Sequence, residues 1–540
     1  MHLHLLSALS RHRVDIVGFV GAFVLGCVFL WLITPPGHIQ GLSGYWQTQL
    51  DDMAQYLSGY RAYISSPWSF PLLSVPTLNW PQGTVLTFLD AVPGYSLAVK
   101  AIGLVLPIPH NPLGFWVLVC YGLQGAAAWF LMRQVAGRNY LLVLFGVALC
   151  IMMPVLSSRM AHISLQAHFV LLTALGLYFR QRSLGRRQVA AWSMLLLVAF
   201  YTNLYLTAMA VAVMVGAAAD EARRARQWSS LVYYLIPLAV VLVSVPVMLG
   251  TAFGSAVPDT GFGVYSMNLL APVAQGHLLQ MPFYEQREGQ YEGYNYLGLG
   301  LILLVAFAAW RTGTTVQRGG APRIGPFLIT ALVLCSVYAL SNEIYLGRLH
   351  LLRWEVPCAL VPLFEAFRSS GRFFWVVAYA LAVLGVRSLA ELPSRQQILA
   401  VLALLAIQVT DLAPTYSFIK QSLEREPNIL ADIPQWNAAL EGVETIHAFP
   451  KFKCPGGYAR EVLPLQMVAA EGGYNLTTGF ISRYGAECDA VSEEIAGSNP
   501  ATSAYVFAHT HYTEEQIQSY LPTQAQCRKL EIWTVCRLPE

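Results

Sequence analysis

The feature that most constrains this chain is a set of long apolar runs that carry almost no charge. In the first run, the 19 residues from Ile16 to Thr34 include no charged side chain. A helix rises 1.5 Å per residue, so a run of this length spans a hydrocarbon core roughly 30 Å thick. The 540-residue chain is 56% hydrophobic and only 12% charged, compared with about 25% charged in a soluble domain. The sequence therefore predicts an α-helical polytopic membrane protein.

The N-terminal run is predicted to be an uncleaved anchor. It follows Arg11 and Arg13, is too long for a signal-peptide core, and is followed by Pro35-Pro36 in place of a small-residue cleavage site. Eleven runs are predicted to cross the membrane: Val14 to Thr34, Gly114 to Met132, Tyr140 to Leu156, Ile163 to Phe179, Val189 to Tyr201, Leu204 to Ala219, Leu231 to Leu249, Tyr296 to Trp310, Pro326 to Leu340, Phe373 to Val386 and Ile398 to Leu412.

The arginines between these runs predict the orientation of the chain. With a cytoplasmic N-terminus, the inner loops are richer in arginine than the longer outer loops, in agreement with the positive-inside rule. The inner set is Arg133, Arg138, Arg180, Arg182, Arg186, Arg187, Arg223, Arg224, Arg226, Arg311, Arg318, Arg323, Arg387 and Arg395. The C-terminal residues then lie outside, in the periplasm if the membrane is a bacterial inner membrane.

Two segments leave the span count open. Val85 to Leu106 is apolar but carries Asp90, Pro93, Gly94 and Lys100. A simple crossing there would place the arginines after Phe179 outside. We predict broken helices on or within the outer face, where protein or a wet cavity satisfies the backbone. Val189 to Ala219 is predicted as two short spans interrupted at Tyr201-Thr202-Asn203, with one long tilted helix as the alternative.

The sequence predicts two domains. Residues 1–413 form the membrane domain, including a large first outer loop at 35–112, and residues 414–540 form a small α/β domain outside the membrane. Strands are predicted at Ala504 to Ala508 and Leu530 to Val535. Thr513 and Gln516 predict a capping box at the start of a helix.

Four of the nine cysteines lie in the polar C-terminal segment: Cys454, Cys488, Cys527 and Cys536. Four cysteines in a small polar domain favour two disulfides and an oxidising compartment, with three pairings open. Four buried thiols in a cytosolic domain are the alternative.

The first outer loop contains the main candidates for catalysis. Asp51 and Asp52 open a helix-like stretch, and a carboxylate beside a cavity can accept the proton of an acceptor hydroxyl. Acidic residues also favour a helix start for electrostatic reasons alone. Asp90 is either a second acid or the ion-pair partner of Lys100.

Further candidates lie on the predicted outer side. Arg368 and Arg372 flank Ser-Ser-Gly and suit a lipid phosphate, although interfacial arginines can also snorkel to the membrane surface. The other candidates have structural alternatives as hydrogen-bonded histidines or as an aromatic belt at the interface. His162 and His168 are candidates for phosphate or metal, and Glu292, Tyr294 and Asn295, with Tyr291, are candidates for a sugar. His509 and His511 form an H-x-H pair that lacks an evident third metal ligand.

Seven motifs carry a resemblance to a bacterial family of multispanning membrane proteins. They are D-x-x-Q-Y-L-x-G-Y at Asp52 to Tyr60, P-W-x-F-P-L at Pro67 to Leu72, N-W-P-x-G-T at Asn79 to Thr84, F-x-D-x-x-P at Phe88 to Pro93 with the following Lys100, G-F-G-x-Y-S-M-N-L-L at Gly261 to Leu270, Y-E-G-Y-N-Y-L-G-L-G at Tyr291 to Gly300, and F-R-S-S-G-R-F-F-W at Phe367 to Trp375. That family is similar to the polyprenyl-phosphate-sugar-dependent glycosyltransferases of the GT-C architecture.

The resemblance implies an inverting glycosyltransferase in the bacterial inner membrane, with a polyprenyl-phosphate sugar as donor and an envelope polysaccharide, lipid or other glycan as acceptor. It implies that Asp52 is the catalytic aspartate, and the spacing to Gln55 favours Asp52 over Asp51. Membrane lipid is an expected partner and nucleic acid is not. No cofactor is required, and a divalent metal is not excluded. The alternatives are a transporter or flippase of lipid-linked saccharide and a noncatalytic envelope-assembly protein.

Overall fold

A computed structural model of the protein describes residues 2–180, 186–251, 261–281, 283–314, 324–483 and 485–539. Three of the arginines that predict the topology, Arg182, Arg318 and Arg323, lie outside the described residues. The chain divides into two compact units. The first, which we call the helical unit, comprises Met1–Ile39, Phe115–Val241 and Asp259–Ser422. The second, which we call the mixed unit, comprises Gln40–Gly114, Leu242–Pro258 and Leu423–Glu540.

Seven helices within the described ranges are long and apolar enough to cross a membrane. They are Arg13–Ile33, Leu113–Ala136, Tyr140–Ser157, Leu204–Ala225, Trp228–Leu249, Ser370–Leu389 and Ser394–Glu424. Three shorter apolar helices cover Ile163–Phe179, Leu299–Arg311 and Pro326–Leu340. The remaining predicted span, Val189 to Tyr201, falls largely in the helix Arg186–Phe200. The protein is therefore a multi-pass helical membrane protein.

The helix following Phe200 begins anew at Leu204, because Asn203 caps it. Asn203 has an extended backbone, and its side chain accepts a hydrogen bond from Tyr205 N at 2.9 Å. Its side-chain amide donates to Ser164 Oγ at 3.0 Å, so both ends of the amide are engaged. The predicted interruption is therefore a helix boundary, and a single continuous helix is ruled out for these residues.

The segment from Val85 to Leu106 is broken in the structure. A short 3₁₀ turn at Leu86–Leu89 is followed by two residues with positive φ, Asp90 at 54° and Val92 at 49°. The α-helix Pro93–Ile102 has 10 residues. A helix of that length rises about 15 Å, roughly half of the hydrocarbon thickness. It cannot cross a membrane by itself.

Each unit contains a short antiparallel hairpin. In the mixed unit β1 (Ser74–Val75) pairs with β2 (Thr84–Val85). In the helical unit β3 (Glu343–Leu346) pairs with β4 (Leu349–Arg353).

The C-terminal part of the mixed unit is built on a five-stranded sheet. Its strands are β5 (Thr445–Phe449), β6 (Asn475–Leu476), β7 (Ser503–Ala508), β8 (Gln526–Leu530) and β9 (Trp533–Arg537), in the order β6-β5-β7-β9-β8. β5 runs parallel to β6 and β7, whereas β9 runs antiparallel to β7 and β8. The predicted strand Ala504 to Ala508 is confirmed. The predicted strand Leu530 to Val535 is confirmed only in part: Leu530 ends β8 and Trp533 to Val535 lie in β9, but the β8–β9 turn, where Glu531 has a φ of 45°, interrupts it.

Four helices accompany this sheet: Ile433–Ala439, Ala459–Gly472, Val491–Ala496 and Glu514–Tyr520. The predicted capping box is confirmed, because Thr513 Oγ1 accepts from Gln516 N and the Gln516 side chain accepts from Thr513 N. The sheet buries aromatic side chains such as Phe449, Tyr505 and Phe507. This core makes the C-terminal part of the chain an α/β fold.

The four C-terminal cysteines form two disulfides. Cys454 pairs with Cys488, and Cys527 pairs with Cys536 across the neighbouring strands β8 and β9. The structure thereby selects one of the three pairings that the sequence left open.

The predicted first outer loop belongs to the same compact unit as the C-terminal residues, and hydrogen bonds join the two segments. The Gln49 side chain accepts from Leu430 N and Ala431 N at 2.8 and 2.7 Å. Main-chain bonds join Thr77 O to Leu476 N and Leu476 O to Trp80 N, next to the edge strand β6. The domain division predicted at residues 413 and 414 separates segments that the structure groups together.

Candidate functional site

The predicted acidic pair lies at the start of a helix in the mixed unit. Asp51 is the N-cap residue of the helix Asp52–Ser65 and has an extended backbone, and Asp52 lies in the first turn. Asp51 forms an ion pair with Arg425, whose guanidinium lies 5.5 Å from the centre of the Tyr45 ring. The pKa of the Tyr45 phenol is raised, first by burial and then by the negative charge of Asp52. Asp52 and the Arg425 partner of Asp51 thus both influence the same tyrosine.

The motif that follows Asp52 holds this helix in place. Gln55 Nε2 donates to Phe480 O at 3.0 Å, and Gln466 Nε2 donates to Ser58 Oγ at 2.8 Å. A Cβ at Gly59 would lie 2.8 Å from Leu89 Cβ, so glycine permits the close packing there. The motif residues therefore position the helix whose first turn carries Asp52.

Lys100 secures the other end of this helix. Its Nζ donates to Tyr63 O at 2.8 Å and to Ser66 O at 2.9 Å, and lies 4.2 Å from the centre of the Tyr63 ring. A cation at the carbonyl end of a helix satisfies unpaired acceptors and interacts favourably with the helix dipole. Burial lowers the pKa of the Lys100 ammonium. The structure gives Lys100 this structural position, and it places Asp90 in the left-handed turn before the helix Pro93–Ile102.

A second group of predicted residues lies in the helical unit, around the buried carboxylate of Glu292. Glu292 Oε2 accepts from Arg159 Nη1 at 2.9 Å and from Arg372 Nε and Nη2 at 3.0 and 2.8 Å. Arg159 Nη2 also donates to the carbonyls of Glu292 and Tyr291 at 2.9 and 3.1 Å. His162 Nε2 lies 3.6 Å from Glu292 Oε1. We call Arg159, Glu292 and Arg372 the arginine cluster.

The charges of the arginine cluster do not cancel. Burial alone would raise the pKa of Glu292, but the charges of Arg372 and Arg159 outweigh burial and lower it, so the carboxylate is ionised. Two guanidinium groups share this one carboxylate, which leaves a formal charge of +1 in a buried place. Arginine presents its donors in a planar fork that matches carboxylate and phosphate oxygens. The cluster therefore has the chemistry to attract an anion.

Three of the sequence motifs build this cluster. Asn295 Nδ2 donates to Gly371 O at 2.9 Å, and Gly371 N donates to Tyr265 O at 3.1 Å. A Cβ at Gly293 would lie 2.1 Å from Ser266 O, and one at Gly371 would lie 2.6 Å from Gly293 Cα. Side chains at either glycine would separate the segments. The motifs at Gly261 to Leu270, Tyr291 to Gly300 and Phe367 to Trp375 therefore meet through their backbones.

Three further residues predicted from the sequence, His168, Arg368 and Tyr294, do not belong to the arginine cluster. His168 is buried, with Nδ1 2.9 Å from the Tyr379 hydroxyl and its ring 4.6 Å from that of Trp375. Arg368 is half-buried and lies 5.3 Å from the centre of the Tyr265 ring. Tyr294 is half-buried as well. Within the described part of the chain, His168 Nε2, Asn295 Oδ1 and Arg159 Nε are buried polar atoms without a hydrogen-bond partner.

Arg159 is the site residue that the sequence did not single out. Its partner Glu292 is 133 residues away along the chain. The sequence did contain a signal for this residue. Arg159 lies in a six-residue gap between two apolar runs, on the predicted outer side. The positive-inside rule accounts for arginines on the inner side only, so an arginine in this gap calls for another explanation.

The two histidines of the H-x-H pair each contact a different side chain of the protein. His509 Nε2 lies 2.7 Å from Thr534 Oγ1, and His511 packs edge-on against Tyr512. Across the residues that the structure describes, no group of three or more His, Cys, Asp or Glu side chains is arranged to hold a metal ion.

Comparison with known families identifies the chain. Residues 23–413 match the family described as "Domain of unknown function (DUF6311)", and residues 435–538 match the "DUF6311 C-terminal domain". The protein belongs to the DUF6311 family. No curated protein matches the sequence.

Two solved structures are similar to this one. One is the oligosaccharyltransferase of Archaeoglobus fulgidus, tethered with an acceptor peptide, with a TM-score of 0.42 and 12% sequence identity over 85% of this chain. The other is the arabinofuranosyltransferase AftD from Mycobacteria, with a TM-score of 0.46 and 11% identity over 91% of this chain. This chain spans 64% of the first protein and 40% of the second.

Proposed function

We propose that this protein is a membrane glycosyltransferase that moves a sugar from a polyprenyl-phosphate carrier to a cell-envelope acceptor on the outer face of a bacterial inner membrane. The observation that carries the proposal is the arginine cluster, in which two buried guanidinium groups share one carboxylate. A site with surplus buried positive charge favours a phosphate group that gains negative charge as it leaves.

The proposed reaction is a single displacement at the anomeric carbon. The acceptor hydroxyl oxygen forms a bond to the anomeric carbon, and the bond between that carbon and the phosphate oxygen breaks. Asp52 takes the hydroxyl proton, and the polyprenyl phosphate leaves with the bonding electron pair. The configuration at the anomeric carbon inverts. The phosphate is already a good leaving group, so the reaction needs no nucleotide.

Asp52 is the preferred base because the motif spacing to Gln55 favours it. Asp51 forms an ion pair with Arg425. Both aspartates remain candidates, and substitution distinguishes them.

The test is transfer of radiolabelled sugar from a panel of polyprenyl-phosphate sugars to membrane acceptors, with wild-type protein and Asp52→Asn at equal folded expression. Loss of a general base lowers the rate by about 10² to 10⁴-fold, and we expect Asp52→Asn to show such a loss. Asp51→Asn is the matched control and is expected to retain most of the activity. Transfer that persists in Asp52→Asn but is lost in Asp51→Asn would move the base to Asp51. Absence of transfer with every donor would favour a transporter or an assembly protein.

A further inference from the structure

The mixed unit contains a cavity of about 460 Å³ that has no role in the reaction proposed above. Its wall is mainly apolar and includes Leu42, Trp46, Leu57, Ile433 and Met467. Pockets that bind small ligands usually measure about 300 to 1,000 Å³ and combine an apolar lining with a few polar groups. The cavity has the size and lining of such a pocket.

The charged groups of the wall have a negative sum. Arg61 forms an ion pair with Glu471, so their charges cancel, and Asp432 adds a second carboxylate. His110 also lines the cavity, with Nε2 3.7 Å from Glu471 Oε1. Burial, and then the charge of Arg61, lowers the pKa of His110, which keeps the imidazole neutral at pH 7. With one positive and two negative groups, the lining has a formal charge of −1, and its one arginine is already paired with a carboxylate.

The cavity shares its wall with the segment that carries the acidic pair. Gln49 lines the cavity two residues before Asp51, and Leu57 lines it from the helix that begins at Asp52. A molecule in the cavity therefore lies against the same helix as the proposed general base.

We propose that this cavity binds the acceptor, and that the acceptor is an uncharged amphiphile, with an apolar group against Leu57 and Met467 and a hydroxylated group beside Gln49, towards the start of the helix that carries Asp52. The role as acceptor rests on the proposed glycosyltransferase function, whereas binding of a neutral amphiphile does not. Because the lining has no surplus positive charge, we expect the cavity to prefer a neutral ligand to the phosphate-bearing donor.

The test is photolabelling of the full-length protein in lipid nanodiscs. The probe is an alkyl glucoside with a diazirine on its alkyl chain, and the comparison probe is the alkyl phosphate with the same chain. We expect the glucoside to label peptides that contain residues 42–61, 429–434 and 467–471, and excess unlabelled glucoside to abolish the labelling. Equal labelling by the alkyl phosphate, or labelling outside these peptides only, would overturn the proposal.

A variant at the rim tests the cavity with little effect on folding. Ile429 lines the cavity and is 55% exposed, so Ile429→Trp narrows the opening without overfilling a core. Val105, in the same unit, is 81% exposed and does not line the cavity, which makes Val105→Trp the matched control. We expect Ile429→Trp to reduce glucoside labelling about tenfold, which corresponds to a tenfold loss of affinity, and Val105→Trp to leave it unchanged. Equal labelling of both variants would refute the site.

Sugar transfer separates this inference from the proposed function. If both hold, Ile429→Trp raises the KM for the acceptor and leaves the KM for the donor unchanged. Transfer without cavity labelling would disprove the inference and leave the glycosyltransferase function standing. Cavity labelling without transfer under any condition would support neutral-amphiphile binding and disprove the function.

Discussion

Two arginine–carboxylate groups, one in each unit, show how burial changes the consequences of the same chemistry. In the helical unit, the side chains of Glu292 and Arg159 are 6% and 4% exposed. In the mixed unit, the side chains of Asp51 and Arg425 are 43% and 47% exposed. A buried charge that loses its partner is left without solvation, whereas an exposed charge returns to water. The buried group is therefore a structural requirement, and the exposed pair can separate at little cost.

The largest expected effect is that of Glu292→Gln. This change leaves two buried guanidinium groups without a counter-charge, and breaking a buried pair costs about 3–5 kcal/mol. We expect thermal unfolding of the purified protein in detergent to show a loss of this size. Glu285→Gln is the matched control, because Glu285 pairs with Arg348 at 2.7 Å in an exposed place and its loss should cost less than about 1 kcal/mol. Equal losses would contradict the comparison.

An intermediate effect is expected for Glu494→Gln, because the Glu494 side chain is 14% exposed. Glu494 accepts from Lys451 at 2.6 Å and lies 2.9 Å from His447 Nδ1. Hydrogen bonds to charged groups contribute about 1.5–3 kcal/mol, and we expect a loss in that range at pH 7.

The pH dependence of this variant provides a second check. Burial would raise the pKa of Glu494, but bonds from His447 and Lys451 outweigh burial and lower it. A carboxyl with a lowered pKa in the folded protein stabilises the fold above its unfolded pKa of about 4.3 and loses that contribution as pH falls towards the folded value. Melting temperatures measured from pH 7 to pH 3 should therefore fall more steeply for wild type than for Glu494→Gln. Parallel curves would show that Glu494 is not the group responsible.

The smallest expected effect on stability is that of Arg425→Gln. Exposed ion pairs contribute about 0–1 kcal/mol, and salt screens them. We expect the same melting temperature within that range, with a difference that shrinks at high salt. A loss above about 2 kcal/mol would show that the Asp51–Arg425 pair is as important for the fold as the arginine cluster.

The sequence predicted those features that depend on neighbouring residues. Apolar runs, the helix boundary at Asn203 and the capping box at Thr513 are local signals, and each has a counterpart in the structure. The strand predicted across Glu531 is two strands in the structure, because the tight two-residue turn between them contains no glycine or proline that would have indicated it.

Features that depend on distant residues were not accessible in the same way. Glu292 and Arg372 were each selected as candidates, but their shared hydrogen bonds and the contribution of Arg159 required the folded backbone. The same holds for the grouping of the first loop with the C-terminal residues, which rests on contacts such as those of Gln49 with Ala431.

The contacts of Gln49 also have a consequence for how the protein is made. The loop that carries Asp52 completes its hydrogen bonds with residues about 380 positions later in the chain. At about 5–20 residues per second, the ribosome needs roughly 20 to 80 s to synthesise that interval. During this time the loop has left the ribosome but lacks its partners, so maturation of the aspartate-bearing helix waits for synthesis of the last quarter of the chain. Ribosome-bound intermediates that stop before Leu430 would expose this loop to proteases, and the finished chain would protect it.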